Sequence, residues 1–405
     1  MDAEPARRHV SAGDRHAVVA GAGIGGTAAA LLLANAGFTV TLFERVAEPR
    51  AVGAGILLQP NGLAVLYGLG LRDALRRRAV ESRHVNVADG DGRALLASTV
   101  PDFGGGYDHV LVVRRSHLQT VLLDAVAADA RITCRFGYDV ERAASDGTVT
   151  WRRDEGEHGR ASGDLVVGAD GLHSRVRESG RFDARLTPGI AYVRGLGAPT
   201  ALDAMTEYWT ALGIFGAGPV DGALYFYAST AAPPLADAFA RRDLKALQRA
   251  WASACPAAGA AFAGVGSFDD LLVNQVTRVD CARWVDGLVV LLGDAAHAMA
   301  PNVGQGANSA LVDAAVLADA LATNDDAAAA LDAYETRRRP KVRRVQDAAG
   351  MLGRLGELRH PVLRAIRDNV LRLVLGRFGA DDSMRAGQQE EPVWLESVAR
   401  RRCPT

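Results

Sequence analysis

The sequence predicts an α/β fold: a domain opening with a βαβ unit, interrupted by an inserted mixed β-sheet and followed by C-terminal helices. Three observations predict it. Near the start, an apolar run at residues 16–20 enters the glycine loop Gly21-Ala22-Gly23-Ile24-Gly25-Gly26, and an Ala/Leu-rich stretch follows at 25–36. More than 240 residues later a second apolar run, 288–292, leads into Gly293-Asp294-Ala295-Ala296-His297 and on through Pro301 to Gly304-Gln305-Gly306. Between them, residues 186–280 concentrate aromatics: Tyr192, Tyr208, Trp209, Phe215, Tyr225, Phe226 and Tyr227. Glycine-bearing elements so far apart imply one ligand bound along the whole chain.

The bulk properties agree with a globular protein. The chain has 405 residues, enough for two or three domains, with 49% hydrophobic and 23% charged residues. A formal net charge of −1 gives no reason to expect nucleic acid or a membrane surface as a partner. Cys134, Cys255, Cys281 and Cys403 lack the spacing of a zinc site or a disulfide framework, so reduced thiols in the cytoplasm are expected. Residues 17–43 carry no charge and follow Arg7-Arg8, which mimics an export signal. The glycines inside that run fit a strand, a turn and a helix better.

Element by element, residues 1–15 read as a loose polar tail. The stretch 16–20 reads as a buried strand, 25–36 as a helix with Gly37 just past its end, and 38–43 as a second strand. This is the opening of a Rossmann-like βαβ unit. Residues 54–61 read as a glycine-containing loop before a helix. The pattern turns β-like from 83 to 113, with a turn at Asp89-Gly90-Asp91-Gly92, then helical at 118–128. Short strands follow over 131–151, with a hairpin turn at Ser145-Asp146-Gly147. The buried strand 164–168 ends at Asp170-Gly171. Within 186–280 a strand is expected at 225–228, a helix at 241–254, and a mostly antiparallel sheet overall. Residues 330–378 read as Arg-rich helix, and the end as irregular. The expected cofactor domain comprises 16–82, 107–185 and 281–345. The substrate domain comprises 83–106 and 186–280, and 346–405 is a C-terminal helical region.

Several motifs carry chemistry. In G-x-G-x-x-G between strand and helix, Gly21 permits the tight turn, Gly23 lets a pyrophosphate reach the backbone, and Gly26 allows close helix–strand packing. Glu44 stands 18 residues beyond Gly26, where a carboxylate can accept from ribose hydroxyls, with Arg45 beside it. Gly55 would let a flat ring approach the backbone. Arg114-Arg115 precede a helix, and a guanidinium there suits a pyrophosphate. Asp170 can order nearby donors. Asp294 at a strand end offers a carboxylate to a polyol beside a helix start. His297 invites assignment as a base, but a structural hydrogen bond is the better reading. The run Arg337-Arg338-Arg339-Pro340-Lys341 resembles a nuclear signal and is better read as a helix face.

Taken in order, Gly21 to Gly26, Glu44-Arg45, Arg115, Asp170-Gly171 and Gly293-Asp294 resemble the class A flavoprotein monooxygenases, the p-hydroxybenzoate hydroxylase-like family. The resemblance spans about residues 16–345 and fades over 186–280. It implies a glutathione reductase-type FAD-binding domain with an inserted substrate domain. It implies FAD held at the pyrophosphate by Gly21, Gly23, Ile24, Gly25, Gly26 and Arg115, and at the adenosine ribose by Glu44 with Arg45. Asp170 matches an acid tied to FAD and NAD(P)H function, and Asp294 one that bonds the ribityl or ribose region. Gly55, Pro301, Gly304, Gln305, Gly306 and Ala307 would pass the ring system. The implied reaction uses NADPH or NADH and O2 to hydroxylate an aromatic or polyketide-like small molecule through a flavin C4a-hydroperoxide. Trp209, Tyr225 and Tyr227 are the candidate pocket residues, no metal is expected, and no side-chain acid or base is assigned. A monomer or homodimer is expected.

Two departures bear on lineage. Val312-Asp313-Ala314 stands where many members have Glu-Asp-Ala, which is closer to the tetracycline-inactivating branch. No arginine near 55–59 matches the one that approaches the ring system in p-hydroxybenzoate hydroxylase, which argues against a simple carboxylated phenol. Epoxidation, Baeyer–Villiger insertion, N-oxidation or a reductase remain alternatives on the same scaffold, as does a non-catalytic flavin protein. A halogenase is disfavoured: its Trp-x-Trp-x-Ile-Pro signature is absent and no lysine precedes Lys245.

Overall fold

The computed structural model describes residues 15–48, 55–153, 156–374, 384–385 and 387–403. The 1–15 tail, apart from Arg15, and Ala54 of the 54–61 stretch lie outside these residues.

One sheet organises the cofactor half. Its six strands run in the order Val285–Asp286, Val289–Leu291, Leu165–Gly168, His16–Ala20, Thr39–Glu44 and Ile132–Phe136. All neighbouring pairs are parallel except the first. The central strand, His16–Ala20, is almost wholly apolar and buried, as expected of a parallel strand covered on both faces. It pairs with Leu165–Gly168, which in turn pairs with Val289–Leu291. Residues from three distant stretches thus end at one sheet edge, at Gly21, Ala169 and Leu292.

Helix Ile24–Asn35 follows the first strand and is buried along nearly its whole length. An Ala-rich sequence suits it, because small side chains let helix Gly306–Thr323 pack directly against it. Gly25 marks the contact: a Cβ there would lie 2.8 Å from Leu292 Cδ1 and 3.1 Å from Ala310 Cβ.

The second large sheet has seven strands, ordered Leu272–Cys281, Ala184–Gly197, Ala223–Ser229, Gly213–Val220, Met205–Thr210, His84–Asp89 and Ala94–Thr99. The hairpin at 84–99 therefore joins residues 184–281 in one sheet. Its link, His84–Asp89 beside Met205–Thr210, is the one parallel pair of a sheet otherwise antiparallel. Period-two alternation sorts the aromatics between its faces. Phe215 and Phe226 join Trp251 and Phe262 beneath helices Leu244–Ala254 and Pro256–Ala263. Tyr192, Trp209, Tyr225 and Tyr227 occupy the other face.

Three expectations need correction. The stretch expected as a loop contains strand Gly55–Leu58, paired with Val110–Arg114; a short apolar run beside a glycine becomes a strand only through that distant partner. The helix expected from 241 begins at Leu244, because Arg242 takes a positive φ and Asp243 caps the helix by accepting from Ala246 N–H. The chain end is not irregular: helix Pro392–Arg400 packs on helix Pro60–Gly68, where Gly68 leaves room for Ala399.

Candidate active site

Where the two sheets face each other lies a cavity of about 810 Å³. Its walls come from the glycine loop (Gly23, Ile24, Gly25), Gly55, Arg115, Gly171, Asp294, the 301–307 segment, and Glu207, Tyr225 and Tyr227 of the seven-stranded sheet.

The glycine loop divides by role. Gly21 has φ +98°, and a Cβ there would lie 2.5 Å from the Ala169 carbonyl oxygen. A Cβ on Gly26 would stand 1.9 Å from the Gly21 carbonyl oxygen. These two, absent from the cavity wall, let the backbone close on itself. A Cβ on Gly23 would meet no atom within 4 Å, and this residue opens onto the cavity. It also begins helix Ile24–Asn35, whose first N–H groups are unsatisfied within the helix.

Glu44 braces the loop rather than lining the cavity: its carboxylate accepts from Ala22 N–H at 2.8 Å and Val46 N–H at 3.0 Å. Arg45 is exposed and also off the cavity wall. Arg115 opens helix Arg115–Ala128, is exposed, and has no hydrogen-bond partner among the described residues.

Asp170 orders the turn beside the loop. Its Oδ2 accepts from the N–H groups of Arg175 (2.8 Å) and Val176 (3.1 Å), while Oδ1 is buried without a partner. Burial pushes its carboxyl above the usual range against these hydrogen bonds. Arg177, to which the motifs assigned no role, ties this turn to the next one by donating to Leu172 O at 2.7 Å and Ala295 O at 2.8 Å.

Asp294 projects from the positive-φ turn at Gly293, exposed on the cavity wall and without a hydrogen-bond partner among the described residues. His297 points the other way. Its Nε2 meets Asp313 Oδ2 at 2.5 Å, and its ring stacks on Trp284. Asp313 also accepts from Gly293 N–H and from Arg338 Nε at 2.8 Å. Although burial opposes it, the charges of His297 and Arg338 hold the Asp313 carboxyl below the usual range. The Asp of Val312-Asp313-Ala314 therefore anchors the Gly-Asp turn to helix Gly306–Thr323.

Pro301, Gly304, Gln305, Gly306 and Ala307 all reach the cavity. Gly306 has open space where a Cβ would be. Gln305 is engaged by its own neighbours: it donates to Gln59 Oε1 at 2.7 Å and accepts from Asn61 Nδ2 at 3.0 Å and Gln389 Nε2 at 3.2 Å. Gln389, from the stretch expected to be irregular, thus completes this end of the cavity, and Gln388 beside it accepts from Asn61 N–H at 2.9 Å. Gly55 does admit a flat ring, but that ring is Tyr225, whose Cγ would lie 2.5 Å from a Cβ at position 55.

Tyr225 and Tyr227 line the cavity; Trp209 does not. The alternation that places Trp209 on the correct face also tucks it behind Glu207, to which its indole N–H donates at 2.6 Å. Glu207, Arg194 and Met205 line the cavity and were missed by sequence reasoning. The available signal was a carboxylate two residues before a candidate pocket tryptophan in an apolar strand.

The donor set fits FAD: open glycines at two helix starts, a guanidinium and a carboxylate without hydrogen-bond partners among the described residues, and a cavity joining them. Residues 14–349 match the family model described as FAD binding domain. The chain belongs to this FAD-binding family. It is 32% identical over 364 residues to the 3-amino-4-hydroxybenzoate 2-monooxygenase of Streptomyces cremeus, covering 84% of this chain and 87% of that one. It is 32% identical over 381 residues to the 2-heptyl-3-hydroxy-4(1H)-quinolone synthase of Pseudomonas aeruginosa PAO1, covering 88% and 94%. The fold matches Klebsiella pneumoniae HpxO, solved with FAD and uric acid, with a TM-score of 0.79 and 26% identity, covering 96% and 99%. The chain is an FAD-dependent monooxygenase of the p-hydroxybenzoate hydroxylase-like fold. No helix among the described residues is long and apolar enough to cross a membrane.

Proposed function

We propose that the protein hydroxylates an electron-rich aromatic ring carrying nitrogen or hydroxyl groups, using O2 and NADPH or NADH. One observation carries this reading: a single cavity runs from the open glycine loop, past Asp294 and the start of helix Gly306–Thr323, to the tyrosine-bearing face of the seven-stranded sheet. The names of the two relatives concern an aminohydroxybenzoate and an alkylhydroxyquinolone, and the matched structure holds uric acid. All three are nitrogen-bearing ring compounds.

A bound FAD would supply hydride acceptance from NADPH or NADH and activation of O2. In this reading Gly23 and the first turn of helix Ile24–Asn35 receive the pyrophosphate, with Arg115 neutralising its charge. Asp294 accepts from hydroxyls of the sugar chain. The start of helix Gly306–Thr323 presents roughly +0.5 charge toward the ring system and stabilises negative charge there. Glu44 and Asp170 act through the backbone that they hold. Val85, Val87, Leu96 and Met205 give the substrate end an apolar wall that excludes water. The same reading has the enzyme act as a monomer or homodimer in the cytoplasm, where its four unpaired cysteines stay reduced.

The test is to purify the protein, measure bound FAD, and screen aminophenols, quinolones and phenols for stimulated NAD(P)H oxidation with mass analysis of the products. A gain of one oxygen atom is expected. Bound FAD with neither stimulation nor an oxygenated product across the panel would count against the reading.

A further inference from the structure

The substrate face of the cavity carries one row of residues across five strands. Strand register places Val87, Glu207, Gly216, Tyr227 and Arg194 side by side. Adjacent strands lie roughly 4.8 Å apart, so Tyr227 sits two strand spacings from Glu207. Gly216 is what joins them. A Cβ there would lie 2.1 Å from Tyr227 Cζ and 2.5 Å from its hydroxyl oxygen. The tyrosine ring lies over the glycine and its hydroxyl donates to Glu207 Oε2 at 2.5 Å. Trp209 Nε1 donates to Oε1 at 2.6 Å.

These two donors fix the carboxyl group and leave it unfinished. A carboxylate has about four acceptor positions, and two are used. No Lys, Arg or His forms an ion pair with Glu207 among the described residues. Glu207 lies deep in the fold, yet retains accessible surface, and it lines the cavity. A carboxylate so placed is costly unless a ligand donates to it. On the far side of Tyr227, Arg194 also lines the cavity, and its Nε is buried without a partner. Acceptor and donor therefore stand in one row with Gly216 and Tyr227 between them, and apolar Val85, Val87, Leu96 and Met205 lie around the acceptor.

We propose that Glu207 is the specificity-determining residue of the substrate site, accepting a hydrogen bond from a ring N–H or O–H of the substrate, while Arg194 receives a carbonyl or oxyanion at the other end. The substrate class is thus a flat aromatic bearing both a donor and an acceptor, as in an aminophenol or a 4-quinolone. A donor shared with a carboxylate also enriches the ring in electrons, the change that oxygen transfer to an aromatic requires. This inference rests on the aromatic-hydroxylase reading above.

The ionised form of Glu207 is the binding form. Burial pushes its carboxyl above the usual range, Trp209 and Tyr227 pull it down, and the nearby carboxyl of Glu357 raises it. Tyr192 and Tyr227 also face it, each with its own hydroxyl pushed upward by burial and by the Glu207 charge. Arg194 is the cation of the same row. Substrate binding is therefore complete above the Glu207 pKa and is lost as pH falls through it.

The experiment uses the FAD-loaded full chain and titrates flavin absorbance with 4(1H)-quinolone, its N-methyl derivative and 2-aminophenol. Wild type should bind the quinolone roughly tenfold more tightly than the N-methyl compound, the worth of one charge-assisted hydrogen bond. Glu207→Gln should keep FAD, lose that preference and lose the acid limb of kcat/KM. Tyr227→Phe removes a donor that favours the charged form, so it should keep the preference and move the acid limb to higher pH. Equal binding of the two quinolones by wild type, or an unchanged preference and acid limb in Glu207→Gln, would overturn the proposal alone. Failure of the whole panel above to stimulate NAD(P)H oxidation or gain oxygen overturns the hydroxylase reading and this inference with it.

Discussion

Two glycines three residues apart in the same loop have opposite surroundings, and that difference can be measured. A methyl group on Gly26 would strike the Gly21 carbonyl oxygen, a backbone atom that cannot swing aside. Gly26→Ala should therefore cost about 1–3 kcal/mol of stability even without cofactor, in the range of overpacking. Gly23 has a negative φ and empty space before it. Gly23→Ala should leave the apoprotein within about 0.5 kcal/mol of wild type. Its loss should appear only in FAD affinity, since the methyl group occupies the space a phosphate would take. Urea unfolding of the two apoproteins, with FAD titrations beside it, checks both. Equal destabilisation by the two substitutions would refute the division of roles. The motif's spacing already assigned Gly23 to the ligand and Gly21 and Gly26 to the turn and its packing; what it did not show is that Ala169, brought in by a strand far along the chain, closes the space over Gly21.

At the scale of elements, the buried trio His297, Asp313 and Arg338 joins the Gly-Asp turn to two long helices, Gly306–Thr323 and Ala327–Gly356. Asp313→Ala would leave the fully buried Arg338 with only Gln389 in hydrogen-bond range and Glu390 at 4.0 Å among the described residues, and should cost about 3–5 kcal/mol. The pH dependence follows from the lowered Asp313 pKa. Its contribution is complete above the unfolded Asp value of about 3.9 and is lost as pH falls through the lower folded value. The gap in urea midpoint between wild type and Asp313→Ala should thus be constant near neutrality and shrink below about pH 4. A gap that persists to pH 2 would contradict it. How much was legible beforehand also becomes clear at this scale. The strand–loop–helix opening and the Gly293–Gly306 segment were readable because their chemistry is local: apolar runs, glycines and a terminal acid. Glu207 was not, because its significance lies in register. Only pairing with Gly216 and Tyr227, neither of them adjacent in sequence, turns a strand glutamate into a held carboxylate. The Gln388–Gln389 contacts were hidden for the same reason, since their partners are Asn61, Gln305 and Ser309.

For the whole molecule, the cavity joins parts that the chain separates: the glycine loop near residue 23, Arg115, Asp294 and the helix from Gly306. A ligand touching all of them couples the early and late segments of the chain. Binding to the folded state alone stabilises it by about 2.7 kcal/mol at a hundredfold excess over Kd. At about 2.1 cal/mol/K of unfolding entropy per residue, each kcal/mol moves the midpoint of a 405-residue chain by roughly 1 °C, so FAD should raise Tm by about 3 °C. Asp294 has no hydrogen-bond partner among the described residues, so Asp294→Ala should leave the apoprotein Tm unchanged within about 1 °C. At the same FAD concentration the variant should show a smaller rise, because weaker affinity lowers the ratio on which the stabilisation depends. Thermal unfolding of both proteins with and without FAD separates the possibilities. A variant with a lowered apoprotein Tm and a full FAD response would make Asp294 a structural residue. A variant matching wild type in both would remove it from the site. Only an unchanged apoprotein with a diminished response fits a carboxylate held open for the cofactor.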